Sequence, residues 1–116
     1  MKTIDRYIEK IKDNVTFRIG ENAQDNFDLI DDSNPHDIWF HLNNNSSSHV
    51  VASIPEGLKR KEKGYVIRSG ALLCKNDNAK SRTQKQVEII FTAIRNVKKT
   101  DIAGSVELIE SNVITI

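Results

Sequence analysis

Apolar residues recur in this chain with two different periods, and the changes of period divide it into elements. Ile4, Tyr7, Ile8 and Ile11 fall at helical spacing and predict a short amphipathic helix at the N-terminus. Val15, Phe17 and Ile19 then alternate with Thr16 and Arg18, the pattern of a strand buried on one side, which ends at Gly20. Residues 21–36 are acidic and Asn-rich; Leu29 and Ile30 are the expected core contacts, and Asn34-Pro35 punctuates the end. From Asp37 to Leu42 a period of two places Ile38, Phe40 and Leu42 on one face and Asp37, Trp39 and His41 on the other. A polar loop, Asn43 to Ser48, leads into a second strand over 49–54. Its length suits a hairpin in either of two registers, with His41 opposite His49 or opposite Val50.

Beyond Pro55-Glu56-Gly57, residues Val66, Ile67, Gly70, Ala71, Leu73 and Cys74 share one helical face, in a helix weakened by Gly64 and Gly70. Residues 75–85 carry no large apolar side chain and read as an exposed basic loop. Val87, Ile89, Phe91 and Ala93 resume a strand, and Val106–Ile109 with Val113–Ile116 predict a closing hairpin around Ser111-Asn112. No linker or repeat interrupts the series. Residues 1–116 therefore read as a single α+β domain, a mainly antiparallel sheet with one or two packed helices.

Composition narrows this picture only a little. A chain of 116 residues with 38% hydrophobic and 28% charged side chains can build one modest core without staples. The single cysteine, Cys74, allows no internal disulfide, and the N-terminal stretch lacks the apolar block of a signal peptide, so a reducing, cytoplasmic setting is expected. Charge changes more. The net value of +1 argues against a polycation, but its distribution does not. Residues 1–58 hold five Lys/Arg against ten Asp/Glu, residues 59–99 twelve against three, and residues 100–116 none against three. Such segregation fits an electrostatic footprint for a polyanion as well as a solvated helix face.

The candidate chemistry is mostly excluded by what is missing. His36, His41, His49 and Cys74 show no Cys-x-x-Cys or His-x-x-x-His spacing, so no metal is expected. Ser46, Ser47 and Ser48 stand near His and Asp37 without a nucleophile turn or a Gly-rich oxyanion loop, so no catalytic residue is assigned. No phosphate-cradling glycine loop occurs, and no cofactor is expected. Nucleic-acid binding is better supported. Trp39 and His41, exposed together on a sheet, would stack bases, although an isolated strand tryptophan is more often core. Lys59, Arg60, Lys61 and Lys63, then Lys75, Lys80, Arg82 and Lys85, then Arg95, Lys98 and Lys99 supply potential phosphate contacts. Aromatic content of 6% leaves no room for a broad stacking platform.

Asp37-Ile-Trp-Phe-His41, a short polar loop and Ser48-His49-Val50-Val51 together resemble the core motif of the NFACT-R domain, the RNA-binding domain of the NFACT proteins of ribosome-associated quality control. Gly20-Glu-Asn22 with Asn26 and Leu29 is similar to the family's entry motif. Val87 to Ala93, Asn96-Val-Lys-Lys99 and Gly104 are similar to its closing strand, basic pair and glycine. The likeness runs over roughly residues 15–116 in matching order, with two departures. Asn43-Asn-Asn-Ser-Ser-Ser48 replaces a loop that usually contains glycine, and Thr100 replaces the proline after the basic pair. Asn tolerates left-handed backbone better than most residues and is the natural substitute for glycine.

The resemblance implies a non-catalytic RNA-binding module for tRNA or ribosomal RNA, acting in translation quality control and in contact with the ribosome, with DNA as a possible ligand too. It groups Asp37, Trp39, His41, Ser48 and His49 in one patch and marks Asn96, Lys98 and Lys99; the charge distribution adds Lys59, Arg60, Lys75, Lys80, Arg82 and Arg95 as phosphate contacts. The other domains of full NFACT proteins do not fit in 116 residues, so a stand-alone module is expected. Two alternatives are an RNA-modifying or hydrolytic enzyme using His41, His49 and Ser48, and a protein-interaction module that docks on ribosome-associated factors.

Overall fold

A computed structural model describes all residues, 1–116. Six strands form one antiparallel sheet: β1 (Lys2–Ile8), β2 (Asp13–Ile19), β3 (Ile38–Leu42), β4 (Val50–Ala52), β5 (Glu88–Ala93) and β8 (Asn112–Thr115), in the spatial order β1-β2-β4-β3-β5-β8. The intervening β6 (Val97–Lys99) and β7 (Val106–Leu108) make a separate two-stranded ribbon. Helix α1 (Ala23–Asp32) and the longer α2 (Arg60–Asp77) complete the chain. The α+β class expected from the sequence is what the protein adopts.

Alternation in the strands builds two cores, one on each side of the sheet. Phe17, Ile19, Phe40, Leu42, Val50 and Ile89 bury their side chains under Val66, Ala71, Leu73 and Cys74 of α2. A Cβ at Gly70 would collide with the Phe40 ring, so the glycine that weakens the helix locally is what allows it to lie close on the sheet. On the opposite face Trp39 and Val51 pack with Leu29 of α1, with Ile94 before the ribbon and with Val97 at the start of β6. The sheet thus separates the charge blocks. Acidic α1 lies on one side, and basic α2 on the other.

The termini of α2 are closed by its own neighbours. The Lys59 amide donates to Glu62 Oε1 at 3.0 Å, and at the other end Asn78 Nδ2 donates to the Cys74 carbonyl at 2.7 Å. Ser81 Oγ donates to the Lys75 carbonyl at 2.8 Å, which buries a residue that the sequence places in an exposed loop. The first of these bonds satisfies an amide at the helix start, and the other two satisfy carbonyls that the helix end leaves free.

Two expectations need correction, and one helix has no counterpart among them. The N-terminal segment is a strand, because Ile4 and Ile8 also obey a period of two, and β1 pairs with β2 along its whole length while Tyr7 stays exposed. Residues 23–32 form a helix, for which only Phe27, Leu29 and Ile30 supply an apolar signal. Asn22 caps it, its side chain accepting from the Asp25 amide at 2.8 Å. The closing hairpin does not form: β7 pairs with β6, and β8 crosses to the edge of the large sheet beside β5.

Candidate nucleic-acid interface

The β3–β4 pairing matches Ile38 to Ala52, Trp39 to Val51 and Phe40 to Val50. Continued one step, this register sets His41 opposite His49, the first of the two alternatives left open by the sequence. Trp39, His41 and His49 consequently form a tight aromatic group on the α1 side. Trp39 and His41 stack with centroids 5.5 Å apart and planes 12° apart, and His49 stands edge-on to both at 5.1 and 5.2 Å. Trp39 is only 2% exposed, so it is a core residue and presents no face on which a base could stack.

Hydrogen bonds set the tautomers of both imidazoles. Trp39 Nε1–H donates to His49 Nδ1 at 3.1 Å, which places the proton of His49 on Nε2. His41 Nδ1 lies 2.7 Å from the Leu42 carbonyl, an acceptor only, so this nitrogen carries the proton and Nε2 of His41 is left as an acceptor. Burial holds the His49 imidazolium far out of reach, pulling its pKa from 6.5 to about 3, with the neighbouring His41 acting in the same direction. His41 is lowered as well, by burial, against a smaller opposing effect of its bond to the Leu42 carbonyl. Both rings are neutral at physiological pH.

This has a measurable consequence for stability. Below pH 6.5 the unfolded chain takes up a proton on each of these histidines that the folded chain resists, so stability is full above 6.5 and drains away as pH falls, for His49 down to about 3. The slope from His49 alone approaches about 1.4 kcal/mol per pH unit. Denaturant unfolding at pH 7.0, 6.0 and 5.5 will show the decline, and His49→Asn, which keeps an acceptor near Nδ1, will flatten it. An equal slope in wild type and variant would contradict the neutral assignment.

Above these rings lies a cleft of about 880 Å³. Its floor is Trp39, His41, His49 and Ile90, and its walls are the 43–48 loop, the 20–23 turn before α1, and Ala103 to Val106 from the ribbon connection. Asn22, Asn26, Asn43, Asn44, Asn45 and Asn78 contribute amides, and Ser46, Ser47, Ser48 and Ser105 hydroxyls. Glu21 is the only charged residue; no lysine or arginine lines it.

The sequence motifs acquire physical roles here. A Cβ on Gly20 would strike the Asn26 side chain, and the open space lets Asn26 Oδ1 accept from the His49 amide at 3.4 Å. Gly20 N–H donates to the His49 carbonyl at 2.9 Å, so both sides of the His49 backbone are held. Ser48 Oγ donates to Asp77 Oδ2 at 2.8 Å, and the Ser48 amide donates to Asn78 Oδ1 at 3.1 Å, tying the loop to the end of α2. Ser47 Oγ accepts from the Leu42 amide and donates to the Ser48 carbonyl. Neither hydroxyl donates to an imidazole. Asn44 has φ +64°, so asparagine does supply the left-handed position in the loop that lacks glycine.

Asp37, the first residue of the sequence motif, sits at the far end of β3 and does not reach the cleft. Its buried carboxylate accepts the Asn34 amide at 2.9 Å and the Ile54 amide at 3.0 Å. The basic residues divide into separate groups. Lys59 and Arg60 stand at the start of α2, which at 1.5 Å per residue lies ~27 Å from its other end. Lys80, Arg82 and Lys85 project from the loop after α2; Lys80 and Ser81 share a small depression with Asn43 and Asn45 of the cleft wall. Lys75 is occupied by the carbonyls of Lys85 and Ile116. Lys99 is bound to Asp31, at 2.6 Å from one carboxylate oxygen, and lies over the Phe27 ring. Arg95 is exposed before the ribbon and Lys98 on its strand β6, and Asn96 donates to Thr92 Oγ1 at 3.0 Å. No three His, Cys, Asp or Glu side chains converge closely enough to hold a metal ion. Asn22 and Gly104 are marked in the sequence only by the family resemblance, and Asn78, Ala103 and Ser105 carry no signal of their own, since they reach the cleft from distant parts of the chain.

Fold and site together define an α+β domain whose cleft is equipped for hydrogen bonding, with its cations placed outside. The model of the NFACT protein RNA binding domain matches residues 6–109. The chain belongs to this family of RNA-binding domains. Coiled-coil domain-containing protein 25 of Danio rerio is 33% identical over 86 residues, 73% of this chain and 42% of that protein. The mouse protein of the same name is equally identical, with 41% of its length covered, and the Dictyostelium discoideum homologue is 30% identical over 83 residues. The chain thus spans less than half the length of these relatives. The C-terminal part of the fibronectin/fibrinogen-binding protein from Streptococcus suis has the same fold, with a TM-score of 0.78 at 18% identity, covering 97% of this chain and 44% of that one.

Proposed function

We propose that this domain binds structured RNA, tRNA or ribosomal RNA, without transforming it, and that it does so in the cytoplasm in the service of ribosome-associated quality control. The observation that carries the reading is the loop after α2. Lys80, Arg82 and Lys85 are exposed and make no ion pair within the protein, and Lys80 shares a small depression with Asn43 and Asn45 of the cleft wall. Free cations there release phosphate counterions when RNA is bound, and this supplies affinity that is independent of sequence.

The test is a salt series with tRNA and a ribosomal RNA fragment. Lys80→Glu with Arg82→Glu should weaken binding to both RNAs and reduce the slope of log affinity against log salt by about 1 for each phosphate that the variant no longer neutralises. Lys59→Glu with Arg60→Glu, at the distant end of α2, should change the slope less. An affinity that does not vary with salt, or the reverse ranking of the two double variants, would refute the proposal.

A further inference from the structure

The cleft and the cations beside it ask for different parts of one ligand. Small-ligand sites usually occupy ~300–1,000 Å³, so the cleft is large enough for a single nucleoside unit. A phosphate there would meet no lysine or arginine, and Glu21 at the rim would repel it. What the cleft does offer is fixed in polarity. His49 is as buried as Trp39, but its Nε2–H forms no hydrogen bond in the protein and no fully buried side-chain polar atom lacks a partner, so what little of the ring is exposed includes this donor, on the cleft that His49 lines. Beside it, His41 Nε2 is an acceptor without a protein partner. Each polarity is enforced from behind, by Trp39 Nε1–H and by the Leu42 carbonyl.

We infer that the cleft receives one unpaired, uncharged nucleobase, whose edge meets the His49 donor and the His41 acceptor together while its phosphates lie outside on the Lys80–Lys85 loop. The inference rests on the RNA-binding reading and adds a subsite to it. A donor and an acceptor on two rings whose centroids lie 5.2 Å apart match a base edge that carries the complementary pair, and such edges are free only where the strand is unstacked. Trp39 takes part from below, by holding His49 in its tautomer. Burial keeps both rings neutral, so the pattern persists across the physiological pH range.

Trp39, the only tryptophan, reports on this floor without a label. Three probes are to be compared: a five-nucleotide single-stranded RNA, the same strand with abasic sites, and inorganic phosphate. The intact strand should change Trp39 emission and bind roughly ten- to a hundredfold more tightly than the abasic one, the range expected for a paired donor–acceptor contact. Phosphate alone should leave the emission unchanged. His41→Phe keeps a ring stacked on Trp39 and removes the acceptor; it should abolish the preference for the intact strand and leave the salt slope as it was. Equal affinity for intact and abasic strands, or an emission change with phosphate alone, overturns the inference. If tRNA still binds with a normal salt slope in that case, the RNA-binding proposal survives; if no RNA binds, both fall.

Discussion

Trp39→Ala should cost the domain about 3–5 kcal/mol, the largest loss expected from any single side chain of the site. Trp39 fills the smaller core between Leu29, Val51, Ile94 and Val97, so its removal leaves a cavity that α1, the sheet and the ribbon connection cannot close together. The same change takes away the donor to His49 Nδ1 and the surface on which His41 stacks. Domains of this size have only about 5–15 kcal/mol of stability to lose. Denaturant unfolding followed by circular dichroism measures the effect. Trp39→Phe should cost clearly less while still freeing the His49 tautomer, and a loss below ~1 kcal/mol in the alanine variant would contradict the core position.

Asp37→Ala should cost about 2–4 kcal/mol, because two amide donors to a buried carboxylate lose their acceptor together. Asp37 sews the turn before β3 to the exit of β4, so the loss is structural. Asp37→Asn, which retains one acceptor oxygen, should recover part of it. At temperatures where the alanine variant is still folded, its RNA affinity should equal that of the wild type. Loss of RNA binding without loss of stability would instead place Asp37 in contact with the ligand.

These two residues mark how far the sequence can be read. The alternation of Asp37 to Leu42 correctly places Trp39 and His41 on one face, because a strand buried on both sides must sort its side chains by parity. It says nothing of distance along the strand, and so joins Asp37 to a cleft that it does not reach. Ile4, Tyr7, Ile8 and Ile11 satisfy helical and strand periods alike, and the decision is made by pairing with β2, a tertiary fact. Helix α1 is too polar to announce itself apart from Leu29 and its immediate apolar neighbours. The partners of β7 and β8 are likewise set by topology: two strands adjacent in sequence each find a neighbour earlier in the chain and leave each other alone. The cleft inherits this limit. Its floor is legible as one of two registers, whereas the 103–106 wall depends on a ribbon that no local pattern reveals.

The His41–His49 register also bears on how such a domain can diversify. The floor of the cleft is continuous with the sheet, and a slip of one residue between β3 and β4 would turn the β4 side chains to the opposite face. The walls, by contrast, are loops from three separate stretches of chain, and none of residues 20–23, 43–48 and 103–105 belongs to either core. The domain is therefore a fixed palm with separable fingers: residues 43–48 and 103–105 can be rewritten to change what the cleft accepts, while the Trp–His pair beneath them keeps its place in the sheet.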